Sequence, residues 1–448
     1  MKLVKEKVMK RILPIILFIV YLVFPNYGLA GTTQILGGNA GQNTFSTSAG
    51  TAYLHPVSSL DRNTTEVNRS FVVPCNGVIS QLKFYATVAP DTSNSWKLTL
   101  KTGARGSVGD SALTCTIADT ATSASDLDAG HSVSVTKGQL FVFSIVTTKG
   151  GGTIPSSYGG FSYIFVPTTA NQTIMCGGTA GGSLSAVDTT VEYLSVAGGG
   201  AVPAAVGNAQ LIMPCAGNIT GLTGFINTTP GAGKTRDFTV NVAGSDSALT
   251  VNVANTEYIK SATGSIAVNA GDLVCVSTKN NGGAAASIAG ASIIFEPTTA
   301  GQFVIASNSN GAALPTASNT YYQTVHNGSS SSPWGLVANR VNLPTSAGFT
   351  VNSIYTNISA PPNGAGKKWT FKLLDDGTLV TGATTVYEDA ETGIKWVTGL
   401  SVAVADGSFI VTSCLPASTP GAASAMISYA GYIAPTTTTR TDRMFQLF

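Results

Sequence analysis

From residue 31 onward, apolar and polar residues alternate with a period of two. Trp96, Leu98 and Leu100 fall on one face of their segment, and Val133 and Val135 on one face of the segment ahead of Lys137 and Gly138. That period sends successive side chains to opposite sides of an extended chain, and β-branched and aromatic residues fill the segments, so the pattern predicts strands. Asp376-Gly377, between FKLL and TLVTG, predicts a hairpin, because a two-residue type I′ turn needs positive φ at both central positions. No long helical periodicity follows residue 31.

The strand-rich region repeats itself. An apolar run entering proline recurs as SFVVPCNGVIS around Pro74, QLIMPCAGNIT around Pro214 and VNLPTSAGFTV around Pro344, at spacings of 140 and 130 residues. A second anchor recurs as FSYIFVPTTANQ at Pro167, SIIFEPTTAGQ at Pro297 and YAGYIAPTTTTR at Pro435, at spacings of 130 and 138. Between them stand DSALTCTIAD and DSALTVNVAN, then SVSVTKGQLFVF, SIAVNAGDLVCV and SVAVADGSFIVT. A fainter opening motif precedes each copy: TTQILGGNAG, NQTIMCGGTAGG and GQFVIASNSNGA, followed by the tyrosine segments TAYLHP, VEYLSV and TYYQTV. A repeat of this length implies one structural unit per copy.

Each copy has about eight or nine short strands, which suits a two-sheet sandwich with alternating inward faces. The expected fold is all-β: three tandem β-sandwiches, jelly-roll-like by preference and immunoglobulin-like as the alternative, over residues 31–171, 172–301 and 302–448.

Residues 1–30 read differently. Five basic residues precede the apolar run Ile12 to Phe24, and Gly28 and Ala30 fit the small-residue rule for cleavage. Thirteen apolar residues are short for a bilayer, which takes about 20, so a cleaved signal peptide and a secreted or cell-surface location are expected. Removing it turns 24 basic and 22 acidic residues into 19 and 21, a net charge of −2. Nucleic-acid binding demands a concentrated basic face, and this balance argues against it. Export permits disulfides among Cys75, Cys115, Cys176, Cys215, Cys275 and Cys414, with Cys215 to Cys275 the first choice and buried free thiols the alternative.

Catalytic chemistry finds little footing. His55, His131 and His326 share no repeat position and sit in no HExxH or nucleophile-elbow context. PGAGKT, from Pro230 to Thr235, has Thr228 where a phosphate loop needs its first glycine, so it reads as a turn. The acids Asp375, Asp376, Glu388, Asp389 and Glu391 occur in the third copy alone and read as turn and loop residues rather than a glycosidase pair. No catalytic residue, metal ligand or cofactor is assigned. Asn-x-Ser/Thr occurs at Asn63, Asn68, Asn171, Asn218, Asn227, Asn327 and Asn357, in a chain rich in Asn and Thr.

The function classes left are structural and adhesive. The first expectation is a secreted structural subunit that assembles head to tail with copies of itself by strand exchange. The exchanged strand would be Gln34, Ile35 and Leu36, or an orphan copy of it at Met444, Phe445, Leu447 and Phe448. The competing reading is that both ends complete their own sandwiches. An adhesive or carbohydrate-binding protein is the alternative function, reading glycans or a host surface through loops and through Tyr53, Tyr193, Tyr321, Tyr322, Trp334 and Trp396. In overall organisation the mature chain resembles secreted bacterial surface proteins made of tandem β-sandwiches, and more loosely the jelly-roll modules of phage appendages. The resemblance implies the architecture and no particular residue or ligand.

Overall fold

The structure, a computed structural model, describes residues 31–434 apart from 40–43, 58–61, 180–181, 201, 310, 327–333 and 339–340. Each repeat builds two sheets from eight principal strands, and a two-residue strand (Phe71–Val72, Leu211–Ile212 or Leu343–Pro344) adds to the seventh. In the first repeat these are Gln34–Asn39, Gly50–Leu54, Gly77–Ala86, Asp91–Gly103, Gly109–Asp119, a sixth strand broken into Ser123–Asp126 and Val133–Val135, Leu140–Lys149 and Gly159–Pro167. One sheet runs first, eighth, third, sixth; the other runs second, seventh, fourth, fifth. The same order holds in the second repeat, from Thr173–Gly178 to Ala289–Pro297, and in the third, from Gln302–Asn308 to Ala425–Tyr432. This is jelly-roll connectivity, in which chain neighbours cross between two facing sheets except at the hairpin of the fourth and fifth strands. The hairpin at Asp376-Gly377 is present, with φ of 48° and 76°.

Alternation decides which faces meet. Trp96, Leu98 and Leu100 all point into the first sandwich, where they are fully buried with Phe45, Phe84 and Phe143. Trp96 donates its indole N–H to the Ser46 carbonyl at 3.1 Å, and Trp369, at the same place in the third sandwich, donates to the Pro315 carbonyl at 3.3 Å. The second sandwich has Arg236 there. It is 1% exposed, its Nη2 donates to the Ser185 carbonyl at 2.7 Å, and Glu192 lies 3.8 Å away.

Each first strand pairs with the eighth strand of its own repeat. Gln34, Ile35 and Leu36 lie opposite Phe165, Ile164 and Tyr163; Thr173 to Cys176 lie opposite Phe295 to Ser292; Phe303 to Ala306 lie opposite Gly431 to Ser428. The residues expected to exchange at the front of the chain therefore complete their own sandwich, and Met444, Phe445, Leu447 and Phe448 lie outside the described residues. The Cys215 to Cys275 bridge is not formed. All six cysteines are buried thiols, and these two belong to opposite sheets, Cys215 just ahead of Gly217–Ile226 and Cys275 within Leu273–Asn281.

The sandwiches pack in a cycle. The sheet holding the first and eighth strands of the second sandwich lies on Phe71–Val72 of the first; that of the third lies on Leu211–Ile212 of the second; that of the first lies on Leu343–Pro344 of the third. A head-to-tail contact that closes after three steps makes a threefold ring within one chain, and Gly31–Pro435 form one compact body. Equivalent residues seal the joints. Ser292 Oγ donates to the Val72 carbonyl at 2.7 Å, while its counterpart Ser162 meets Ser346 Oγ at 2.5 Å. Asn39 Nδ2 donates to the Val341 carbonyl at 3.3 Å, and its counterpart Asn308 donates to Asn208 at 3.0 Å. Gly178 takes that position in the second sandwich, where a Cβ would sit 3.3 Å from the Phe71 ring.

The edges of the three first strands converge on the ring axis. There the Gln34 side-chain amide acts as a short strand: its Nε2 donates to the Ile174 carbonyl at 2.8 Å and its Oε1 accepts the Ile174 N–H at 2.9 Å. Leu36, Met175, Val304, Val57, Ala197 and His326 close around them and leave about 10 Å³ free. Sheet edges that would otherwise template another chain are thereby covered.

Candidate functional site: an aromatic cleft between the second and third sandwiches

The threefold ring offers an internal comparison, because each joint has two counterparts. On the outer face of the third and sixth strands, one cross-strand pair sits beside a neighbouring sandwich in every repeat. It is Lys83 opposite Ser125 in the first, Thr223 opposite Ser261 in the second and Tyr355 opposite Trp396 in the third. Across the joint stands a turn of the neighbour. Lys83 pairs with Asp406 at 2.5 Å in one joint, and Tyr355 packs beside Gly271 in another. The third repeat has replaced small or charged residues with two aromatics.

Tyr355 is buried, and Trp396 is 59% exposed with its ring parallel to the tyrosine, at 14° and 6.1 Å between centroids. A bulge beside them widens the site. Val351 pairs with Val402 and Ser353 with Thr398, so Asn352 faces the three residues Gly399, Leu400 and Ser401. Gly399 takes φ of 73°, a left-handed conformation that glycine adopts without strain. The bulge is held by Asn352 Nδ2 donating to the Leu400 carbonyl at 3.3 Å, and Ser353 Oγ crosses the joint to the Pro214 carbonyl at 3.0 Å. Between the two sandwiches this leaves a cleft of about 540 Å³, whose lining includes Pro214, Thr299, Gln302, Asn352, Tyr355, Thr398 and Tyr432 and contains no charged side chain. Burial, with the Cys215 thiol nearby, raises the Tyr355 hydroxyl, so it stays a neutral donor and acceptor.

The other aromatics named from sequence lie elsewhere. Trp334 is buried in the third core against Phe371, at 6.2 Å between centroids, and Tyr53, Tyr193, Tyr321 and Tyr322 are half-buried on the second strands or their edges. Of the six, Trp396 is the one with an exposed ring.

The titratable groups fall into three places. His55 is buried on the Phe71 ring, 4.9 Å between centroids, and His326 is buried at the ring axis. Burial lowers both imidazoles, His326 to about 4. His131 is different, and its partner escaped the sequence reading: Nδ1 lies 3.0 Å from both oxygens of Asp126, within the short segment DLDAGH. Burial works against ionisation of Asp126, but the Thr114 N–H, His131 and the Asp128 N–H together hold it below the usual carboxylate range. The other ring nitrogen of His131 faces Asp128 at 3.8 Å, not a hydroxyl or thiol that an imidazole could activate. Asp376 and Asp389 accept the N–H groups of Phe409 and Gly366, which makes them turn-forming residues. Gly231 to Thr235 open a strand in which Lys234 donates to the Gly283 carbonyl at 2.9 Å. Among the described residues no group of three or more His, Cys, Asp or Glu could hold a metal ion, and no helix is long and apolar enough to cross a membrane.

No family model matches the chain, and no curated protein does. Solved structures with some likeness include dimeric latent PorU from Porphyromonas gingivalis (TM-score 0.21, 9% identity, 75% of this chain and 32% of that one). They also include the VP2 subviral particle of infectious bursal disease virus (0.16, 8%, 92% and 83%) and the M60 catalytic domain with two CBM51 domains of Clostridium perfringens ZmpB (0.16, 10%, 91% and 38%). The chain spans about a third of the length of the PorU chain. Likeness at this level carries no argument about function.

Proposed function

We propose that this protein works outside the cell as a non-catalytic binding protein of the adhesive class, a rigid head of three sandwiches that holds its ligand in the cleft beside Trp396. The observation that carries the reading is the divergence of one joint out of three. Lys83 forms a salt bridge across its joint and Thr223 is a buried hydroxyl bonded to Ser261, whereas Tyr355/Trp396 sets an exposed indole beside a cleft. Packing alone gives no reason for an exposed tryptophan, and a concave site with few polar groups is where ligands bind. The closed ring favours a self-contained head over a subunit that exchanges Gln34 to Leu36, since those residues are buried in their own sandwich.

Light scattering on the purified mature chain, combined with adhesion of labelled protein to polysaccharide-coated and cell surfaces, tests this. A single-chain species that adheres is the expected result. Filaments or sheets in negative stain, with no adhesion, would overturn it in favour of the structural reading.

A further inference from the structure

We infer that the ligand of the cleft between the second and third sandwiches is a neutral glycan, with one pyranose ring lying on the Trp396 indole and the adjoining sugar reaching into the cleft. The inference rests on the reading of the chain as a binding protein and adds the chemistry of what is bound.

The indole supplies the first argument. Parallel alignment with Tyr355 fixes its plane, and an aromatic side chain has few rotamers to lose on binding, so it is a rigid, flat contact surface. The C–H groups on one face of a pyranose form an apolar patch of matching size, while the hydroxyls around its rim demand hydrogen bonds. One residue beside the indole meets that demand directly: Thr398 lies two positions along the same strand, on the same face and exposed, whereas its cross-strand partner Ser353 is buried and spends its hydroxyl on the Pro214 carbonyl. A protein hot spot would ring the tryptophan with apolar side chains that exclude water; here Ile394 lies on one side of it along the strand and the exposed hydroxyl of Thr398 on the other.

Charge supplies the second argument. The cleft lining holds no Asp, Glu, Lys, Arg or His, and offers instead the amides of Gln302 and Asn352 and the hydroxyls of Thr299, Thr398 and Tyr432. Phosphorylated, sulfated and uronic-acid ligands need cationic partners, and amines need carboxylates or an aromatic cage. Uncharged donors and acceptors around an aromatic plane suit a polyol. The volume of about 540 Å³ lies within the range of small-ligand sites, about 300–1,000 Å³.

The repeats supply the third. The counterparts of Trp396 are Ser125 and Ser261, so serine is a side chain this fold already accepts at that position. Trp396→Ser is thus a variant expected to fold.

The test uses the full mature chain and neutral hexasaccharides of β1,4-linked glucose, β1,4-linked xylose, β1,4-linked N-acetylglucosamine and α1,4-linked glucose, with a polyuronate as the charged comparison. Binding is followed by tryptophan emission and by calorimetry. Trp96, Trp334 and Trp369 are buried, so an emission change on binding reports Trp396. At least one neutral hexasaccharide is expected to bind and shift the emission. Trp396→Ser should weaken that binding at least tenfold, and Trp396→Phe should retain part of it. If a neutral glycan binds wild type and Trp396→Ser equally, the site is wrong while the binding-protein reading stands. If the protein adheres to cells or to the polyuronate but to no neutral glycan, or if its ligand proves to be a protein, the ligand class is wrong. If it binds nothing and assembles into filaments, both readings fail.

Discussion

Arg236 donates to the Ser185 carbonyl at 2.7 Å from the position where Trp96 donates to the Ser46 carbonyl at 3.1 Å. The first sandwich reaches that carbonyl with an indole, and the second with a guanidinium carried through the core and balanced by Glu192. The fold requires an N–H at this place more than it requires a particular side chain. Ser46 and Ser185 lie in the crossing between the two sheets, after the first strand, where side chains rather than a backbone ladder satisfy their carbonyls; that of Ser185 also accepts from Asn280 Nδ2 at 3.0 Å.

The two solutions should therefore be interchangeable as a set. Arg236→Ala leaves Glu192 half-buried with the Ser185 N–H but no cation, and should cost about 3–5 kcal/mol, as expected when one member of a buried ion pair is removed. Arg236→Trp combined with Glu192→Ala restores the first-sandwich arrangement of Trp96 and Ala52 and should lie within about 1.5 kcal/mol of wild type, as volume-matched core changes do. Urea denaturation compares them. A double variant as unstable as Arg236→Ala would show that the positions are not equivalent.

The cyclic packing predicts how the molecule melts. Asn308, Ser292 and Ser353 bond across the joints, and each sandwich covers apolar residues of another. Calorimetry on residues 31–448 should give one main transition in place of three independent ones, and Asn308→Ala should lower its midpoint by leaving buried carbonyls unpaired, a cost of about 1–3 kcal/mol. Three transitions insensitive to Asn308 would mean that the sandwiches behave as separate beads.

Acid should loosen the ring at its axis. His326 is 2% exposed, and burial lowers it to about 4, against about 6.5 in an unfolded chain. The unfolded state takes up a proton in that interval and the folded state does not. His326 thus contributes its full stability above about pH 6.5 and loses it as pH falls towards 4, a change of roughly 3 kcal/mol. His55, also lowered by burial, acts in the same direction. His326→Val copies Val57 of the first sandwich and should flatten the fall in melting temperature between pH 7 and pH 4.5. An unchanged profile would remove His326 from the account.

Six thiols should be countable. Burial raises Cys75, Cys115, Cys176, Cys215 and Cys275 to about 12, and Cys414 well above its usual value, so none presents a thiolate at neutral pH. A thiol reagent should titrate none in the native protein and six after denaturation. Four after denaturation would reveal a disulfide.

Particular residues show how far the sequence reaches. Trp96, Leu98 and Leu100 announce an inward face because a strand has a period of two, and the spacing of Pro74, Pro214 and Pro344 announces three copies of one sandwich. The Asp126–His131 pair was within reach, five residues apart, though nothing in DLDAGH says that the chain turns to bring them together. Arg236 was hidden because core reasoning looks for apolar residues, and a guanidinium in a Trp position carries no such mark.

Trp396 marks the boundary between the two kinds of knowledge. As one of six surface-reading aromatics it could not be told from Trp334, which lies in the core, because exposure depends on which strand faces which neighbour. Strand identity, sandwich class and threefold repetition follow from local periodicity and self-similarity, which the chain carries in its own order. The pairing of Tyr355 with Trp396, the sealing of Gln34 against Ile174 and the meeting of Pro214 with Ser353 join residues about 40 to 140 positions apart. The first comes from strand pairing within the third sandwich and the other two from the closure of three sandwiches into a ring, conditions on the folded body that no local stretch of sequence encodes.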